Sequence, residues 1–152
     1  MFNNSISSIE AFKTITFKKI TKLLLYSNKI ENIESLAQCN LSTLKVLNMY
    51  ENIITNTEPI ERCNFKDLIE LILNKNKLTN IDTFATCDFS SVKTFFIHNN
   101  QISSIECLLK CKFKNLRMCY IYGNRISKNA KSNYSIVNDI KSRNMHMAIF
   151  NW

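Results

Sequence analysis

The stretch LIELILNKNKL, residues 68–78, sets an apolar frame at Leu68, Leu71, Leu73 and Leu78 around one polar residue, Asn76. The same frame occurs 24 residues upstream as Leu44, Leu47, Met49, Asn52 and Ile54, and before that as Ile20, Leu23, Leu25, Asn28 and Ile30. Downstream it returns as Val92, Phe95, Ile97, Asn100 and Ile102, then as Leu116, Cys119, Ile121, Asn124 and Ile126. Asn4 continues the series backwards. A fixed period of this length marks a stack of small units, none of which can bury its apolar side alone.

Within each unit the central apolar-x-apolar triplet has the period of two that a short strand requires, so stacked units pair as a parallel sheet. The Asn that follows turns the chain, and its amide bonds backbone groups that the bend leaves unpaired inside the stack. The second half of the unit is equally regular: Leu36, Cys39 and Leu41; Ile60, Cys63 and Phe65; Phe84, Cys87 and Phe89; Leu108, Cys111 and Phe113. A first copy, Phe12, Ile15 and Phe17, has Ile where the others have Cys. That exchange predicts buried small hydrophobes, whereas zinc sites use clustered pairs of ligands. Cys107 and Cys119 lie outside the column, Cys119 at an inward strand position.

The chain of 152 residues holds one glycine, Gly123, and one proline, Pro59. Average usage would give roughly ten glycines, and the dinucleotide and P-loop fingerprints each need several, so nucleotide sites of those kinds are excluded. The 21 asparagines take over, since Asn best tolerates left-handed turns after glycine, and the turns are expected on Asn. With 45% hydrophobic and 21% charged residues the composition is globular. The opening MFNNSISSIEAF lacks the basic and apolar regions of a signal peptide, and no run is long enough to span a membrane. An intracellular, reducing location, cytoplasmic or nuclear, is expected, with no membrane contact, cofactor, metal or small-molecule substrate.

The frame L-x-x-L-x-L-x-x-N-x-L resembles the leucine-rich repeat, over nearly the whole chain. The resemblance implies an α/β class fold: a right-handed solenoid with a parallel sheet on its concave face and short helices or irregular segments on its convex face. The expected organisation is a single domain over 1–152, with a partial repeat at 1–19, repeats of 24 residues over 20–122 and a cap over 123–152. The last segment, GNRISKNAKSNYSIVNDIKSRNMHMAIFNW, resembles the C-terminal cap of intracellular leucine-rich-repeat proteins such as a phosphatase-1 regulatory subunit and the spliceosomal A-prime protein. Gly123, Asn124 and Ile126 carry that likeness, as do Tyr134, Val137 and Ile140 and the ending Phe150-Asn151-Trp152, while Arg125 stands where proline is common. At the other end, the segment carrying Ile6, Ile9, Phe12, Ile15 and Phe17 either caps the stack itself or is covered by another molecule.

In leucine-rich-repeat folds the residues between the inward leucines face outward from the sheet. Here they are Leu24, Asn48, Ile72, Phe96 and Tyr120, followed by Tyr26, Tyr50, Asn74, His98 and Tyr122. A solvent-facing sheet carries polar residues at such positions, whereas this composition is that of an interface anchored on tyrosine. The expected partner-binding residues are Tyr26, Tyr50, Ile72, Phe96, His98, Tyr120 and Tyr122, with sheet-stabilising aromatic packing as the alternative. His98 has no nucleophile or carboxylate in its column and suggests no enzyme. The net charge of +8 is uneven: residues 112–152 carry Lys112, Lys114, Arg117, Arg125, Lys128, Lys131, Lys141 and Arg143 against Asp139. Such a patch suits RNA or an acidic partner. The expected function is a non-catalytic adaptor or scaffold subunit that binds a protein partner, part of a larger complex; the alternatives are a ribonucleoprotein component and a phosphatase regulator.

Overall fold

The computed structural model describes residues 1–127 and 131–142. Each repeat supplies one three-residue strand: β1 (Lys22–Leu24), β2 (Val46–Asn48), β3 (Glu70–Ile72), β4 (Thr94–Phe96) and β5 (Met118–Tyr120). They form one parallel sheet in chain order, in a register that places Leu23, Leu47, Leu71, Phe95 and Cys119 side by side. Pairing runs on past the strand ends, where Leu25 N–H donates to the Asn48 carbonyl and Ser27 N–H to that of Tyr50, both at 2.8 Å. Residues 1–4 lie along the free side of β1, with Asn3 N–H donating to the Tyr26 carbonyl at 3.1 Å. Below them Ile9 and Phe12 are buried, Ile6 and Phe17 partly so.

On the side away from the sheet the chain makes 3-10 turns at Glu10–Thr14, Glu34–Gln38, Asp82–Ala85 and Glu106–Leu109, and a single α-turn, α1 (Glu58–Glu61), with Pro59 in its first turn. A column of Ser8, Asn32, Asn56, Asn80 and Ser104 starts them. Each side-chain oxygen accepts the N–H two residues on, at 2.6–3.3 Å, which satisfies a donor that a helix start leaves open. Between the two sides runs one continuous core, closed in the later repeats by Phe84, Phe89 and Phe95.

The ladder asparagines tie each coil to the one before. Asn76 Nδ2 donates to its own coil at the Leu73 carbonyl and to the preceding coil at Met49, both at 3.0 Å, while its Oδ1 accepts Ile54 N–H at 3.0 Å. Asn52, Asn100 and Asn124 repeat the arrangement.

The left-handed turns, expected on these asparagines, instead fall one residue ahead of them. Asn3, Ser27, Glu51, Lys75 and Asn99 have φ between 53° and 56°, and Gly123 has 65°. The ladder Asn must keep its side chain inside the coil, so the reversal is made by its neighbour, whose side chain stays outside. A non-glycine residue in that region costs about 1–2 kcal/mol per residue. Glu51→Gly is therefore expected to raise stability by about 0.5–1 kcal/mol after the entropy of glycine is charged, and Glu51→Val to lower it; denaturant midpoints check both. At Gly123 a Cβ would also crowd the exposed Asn99 side chain of the preceding turn, which would have to move aside.

Six cysteines are buried and free. The exposed Ile15, 45% accessible, shows that its exchange for Cys in the first coil says little about burial, because no earlier coil packs on it. The column thiols do more than fill space. Each donates to the carbonyl four residues back, Cys39 to Ser35 at 3.1 Å and Cys63 to Pro59 at 3.2 Å, for example. Burial pushes the Cys63, Cys87 and Cys119 thiols up to about 12, so they stay protonated and unreactive in the folded chain.

After the fifth coil, α2 (Lys131–Ser142) packs on the turn at Glu106–Leu109. Its buried stripe is Asn133, Ile136, Val137 and Ile140, and Asn133 Nδ2 donates to the Ser127 carbonyl at 3.0 Å. Tyr134, one residue past Asn133, is exposed. The Phe150-Asn151-Trp152 ending lies outside the described residues.

Candidate functional site

Strand parity sends Leu24, Asn48, Ile72, Phe96 and Tyr120 to the outer face of the sheet, each half-buried beside its neighbours. Two residues on, Tyr26, Tyr50, Asn74, His98 and Tyr122 form a second row, in which Asn74 and His98 are buried and the tyrosines half-buried. The structure thus brings all seven expected partner-binding residues, Tyr26, Tyr50, Ile72, Phe96, His98, Tyr120 and Tyr122, onto one face.

The rings are not independent of one another. Phe96 stacks on Tyr120 with centroids 4.4 Å apart and planes 4° from parallel, and His98 stacks on Tyr122 at 4.5 Å. At the other end Phe2, unremarked in the sequence, stacks on Tyr26 at 4.6 Å. Such stacks follow from the sheet itself, since adjacent strands lie about 4.8 Å apart and like residues in register meet face to face. In the middle, Lys75 Nζ donates to Tyr50 Oη at 3.0 Å and sits 5.1 Å from the ring centroid. The strip is a preorganised aromatic surface, with little rotamer freedom left to lose on binding.

His98 is 9% accessible, and its Nδ1 is buried without a hydrogen-bond partner among the described residues. Burial, with the nearby Lys75 charge, holds its pKa below the usual histidine range. It is a neutral ring in an aromatic stack, and the neighbours that its column lacked in sequence are the edges of Phe96 and Tyr120.

The C-terminal cations occupy separate segments. Lys112 and Lys114 are exposed in the loop before β5, where both lower the pKa of the Asp88 carboxyl, after its hydrogen bonds to Ser90. Arg117 is exposed where the chain enters β5, and Arg125 where it leaves the turn after it. Lys131 and Lys141 belong to α2. Lys128, Arg143 and His146 lie outside the described residues. Among the described residues no group of His, Cys, Asp or Glu is placed to hold a metal ion, and no helix is long and apolar enough to cross a membrane.

No family model matches the chain, and no curated protein matches its sequence. Solved structures do match. Internalin C2 of Listeria monocytogenes superposes with a TM-score of 0.72 at 27% identity, covering 91% of this chain and 56% of the internalin chain. An internalin of the same organism, internalin F, gives 0.58 at 21% identity over 88% of this chain and 43% of its own. A leucine-rich-repeat protein of Leptospira interrogans gives 0.54 at 20% identity, covering 86% and 37%. The fold is that of the leucine-rich-repeat proteins, and the chain spans about half the length, or less, of these structures.

Proposed function

We propose that this leucine-rich-repeat chain is a non-catalytic interaction module, an adaptor or scaffold subunit of a larger assembly, that binds a protein partner on the outer face of its sheet. One observation carries the reading: a row of aromatic rings crosses a sheet face that has no covering layer among the described residues. Ring stacking along the strands accounts for part of the row as sheet stabilisation. It does not account for the choice of apolar Leu24, Ile72 and Phe96 in an outward column, where a solvated face alternates to polar residues. An intracellular setting suits a chain whose column thiols are all protonated hydrogen-bond donors. The fold of the solved neighbours supports an interaction role; the ribonucleoprotein alternative rests on the charge of the C-terminal segment and the likeness of its cap to that of the spliceosomal protein, and no residue distinguishes a phosphatase regulator.

The test is co-purification from the source cell with the parent chain and with a Tyr50→Ala, Phe96→Ala, Tyr122→Ala variant. Anchoring aromatics each contribute about 2 kcal/mol or more at an interface, so the triple variant is expected to lose its partner by well over 100-fold in affinity while keeping its far-ultraviolet circular dichroism. Undiminished co-purification by a folded triple variant would reject the face.

A further inference from the structure

Charge is balanced on one side of this molecule and not on the other. Away from the sheet, every helical turn opens on an acid, Glu10, Glu34, Glu58, Asp82 and Glu106, and cations such as Lys13, Arg62 and Lys110 close the turns. The sheet side carries an excess of cations. At the leading margin, where the chain enters the strands, stand Lys22, Lys45, Lys93 and Arg117, all exposed. Along the trailing margin, in and just past the turns, stand Lys29, Lys75, Lys77 and Arg125, also exposed. The carboxylates on the same side are Glu51, Asp67 and Glu70. The two ion pairs among the described residues, Lys13–Glu10 and Arg62–Glu34, both lie on the opposite side. Among the described residues none of the eight sheet-side cations forms an ion pair, and Lys75 bonds the Tyr50 hydroxyl and lies over its ring, with Glu51 attracting it at longer range.

We infer that the partner presents an acidic, extended segment that lies across the strands along the aromatic strip, with its carboxylates on the two flanking rows of Lys and Arg. This rests on the outer face being the binding site, as proposed above. Five strands about 4.8 Å apart span about 20 Å, the reach of roughly six extended residues. Lys45 and Lys93, two strands apart, flank a concavity of about 450 Å³ floored by Ile69 and bordered by Asp67, Ser91 and Asn115. Apolar side chains of the segment rest on ring edges and on Leu24 and Ile72, and its acids reach outward to either margin, where unpaired cations attract them and steer encounter.

A polyanionic nucleic acid answers the same charge, but the rings favour protein. Bases bind by stacking on free aromatic faces, and here Phe96, Tyr120, His98, Tyr122 and Tyr26 have each given a face to a neighbouring ring, and Tyr50 one to Lys75. Rings stacked from strand to strand turn their edges and hydroxyls, rather than their second faces, to a ligand lying over the sheet, and these suit aliphatic and carboxylate side chains.

The full chain is titrated, by fluorescence anisotropy, with a labelled peptide of about eight mixed Glu and Leu residues, with its Gln–Leu and Lys–Leu counterparts, and with an oligouridylate of similar length. The Glu–Leu peptide is expected to bind tightest, to weaken about tenfold between about 0.05 and 0.3 M salt, and to weaken at least tenfold in a Lys45→Glu, Lys77→Glu, Lys93→Glu variant. Equal binding of the Gln–Leu peptide, or unchanged binding by the charge-reversed variant, overturns the acidic partner and leaves the outer face as the site. Tighter binding of the oligouridylate overturns it in favour of nucleic acid, and so does no measurable binding of the Glu–Leu peptide at about 1 mM, in favour of neither. If the Tyr50→Ala, Phe96→Ala, Tyr122→Ala variant binds the Glu–Leu peptide as the parent does, the face itself is the wrong site.

Discussion

Asn76→Ala is expected to lower the unfolding free energy by about 2–4 kcal/mol. The side chain is 7% accessible and satisfies three backbone groups: the carbonyls of Met49 and Leu73 and the N–H of Ile54. Alanine leaves the buried Ile54 N–H without a partner, at about 1–3 kcal/mol, and takes one of two amide donors from each carbonyl, Met49 keeping Asn52 Nδ2 and Leu73 keeping Asn100 Nδ2, at about 0.5–1.5 kcal/mol each, less whatever a water entering the vacated space restores. Two of the three belong to the preceding coil, so the change also loosens the junction between neighbouring repeats, on which the cooperativity of a solenoid depends. The position in the stack grades the effect. Asn124, half-buried at the last turn, is expected to cost less, and the exposed Asn4, whose amide reaches only the Phe2 carbonyl at 2.7 Å, close to nothing. Urea denaturation of the three alanine variants checks the order. A uniform small loss across the series would sink the account of the ladder as the bond between coils.

What could be read from the sequence follows from where each constraint acts. The inward columns and the ladder Asn constrain side-chain chemistry, so they repeat as visible residue types, and with them came the strands, their register and the outward row. The left-handed column constrains only the backbone. Asn3, Ser27, Glu51, Lys75, Asn99 and Gly123 share no side-chain chemistry, so aligning them shows nothing, and the abundance of Asn pointed one residue too far along. The capping column was legible and overlooked: Ser8, Asn32, Asn56, Asn80 and Ser104 each stand two residues ahead of an acid. Burial of His98 was beyond pattern reading. Parity makes it outward, like Tyr50, yet the bulk of Phe96, Tyr120 and Tyr122 around it closes it off, and bulk across strands depends on side-chain torsions that periodicity does not carry.

Phe95→Ala and Phe96→Ala test the two faces of one strand with one residue type. Phe95 is fully buried and packs against three further rings: Phe113 at 5.3 Å, Phe84 at 5.6 Å and Phe89 at 6.0 Å between centroids. Its register partners are Leu71 on one side and the small Cys119 on the other. Truncation leaves a cavity in the middle of the stack that those rigid rings close only in part, so a loss of about 3–5 kcal/mol is expected, as for other buried Phe to Ala changes. Phe95→Leu restores the residue found at the same position in the three preceding repeats and is expected to recover most of it. Phe96, one residue on, is half-buried and gives up chiefly its stack on Tyr120, about 0.5–1.5 kcal/mol. Stability therefore falls steeply for the inward ring and mildly for the outward one, while partner binding is expected to respond in the reverse order once both variants are compared below their melting temperatures. Similar stability losses at the two positions would mean that the outer aromatics are a second core rather than a surface held ready for a partner, and the stacking alternative for the whole row would then be the better account.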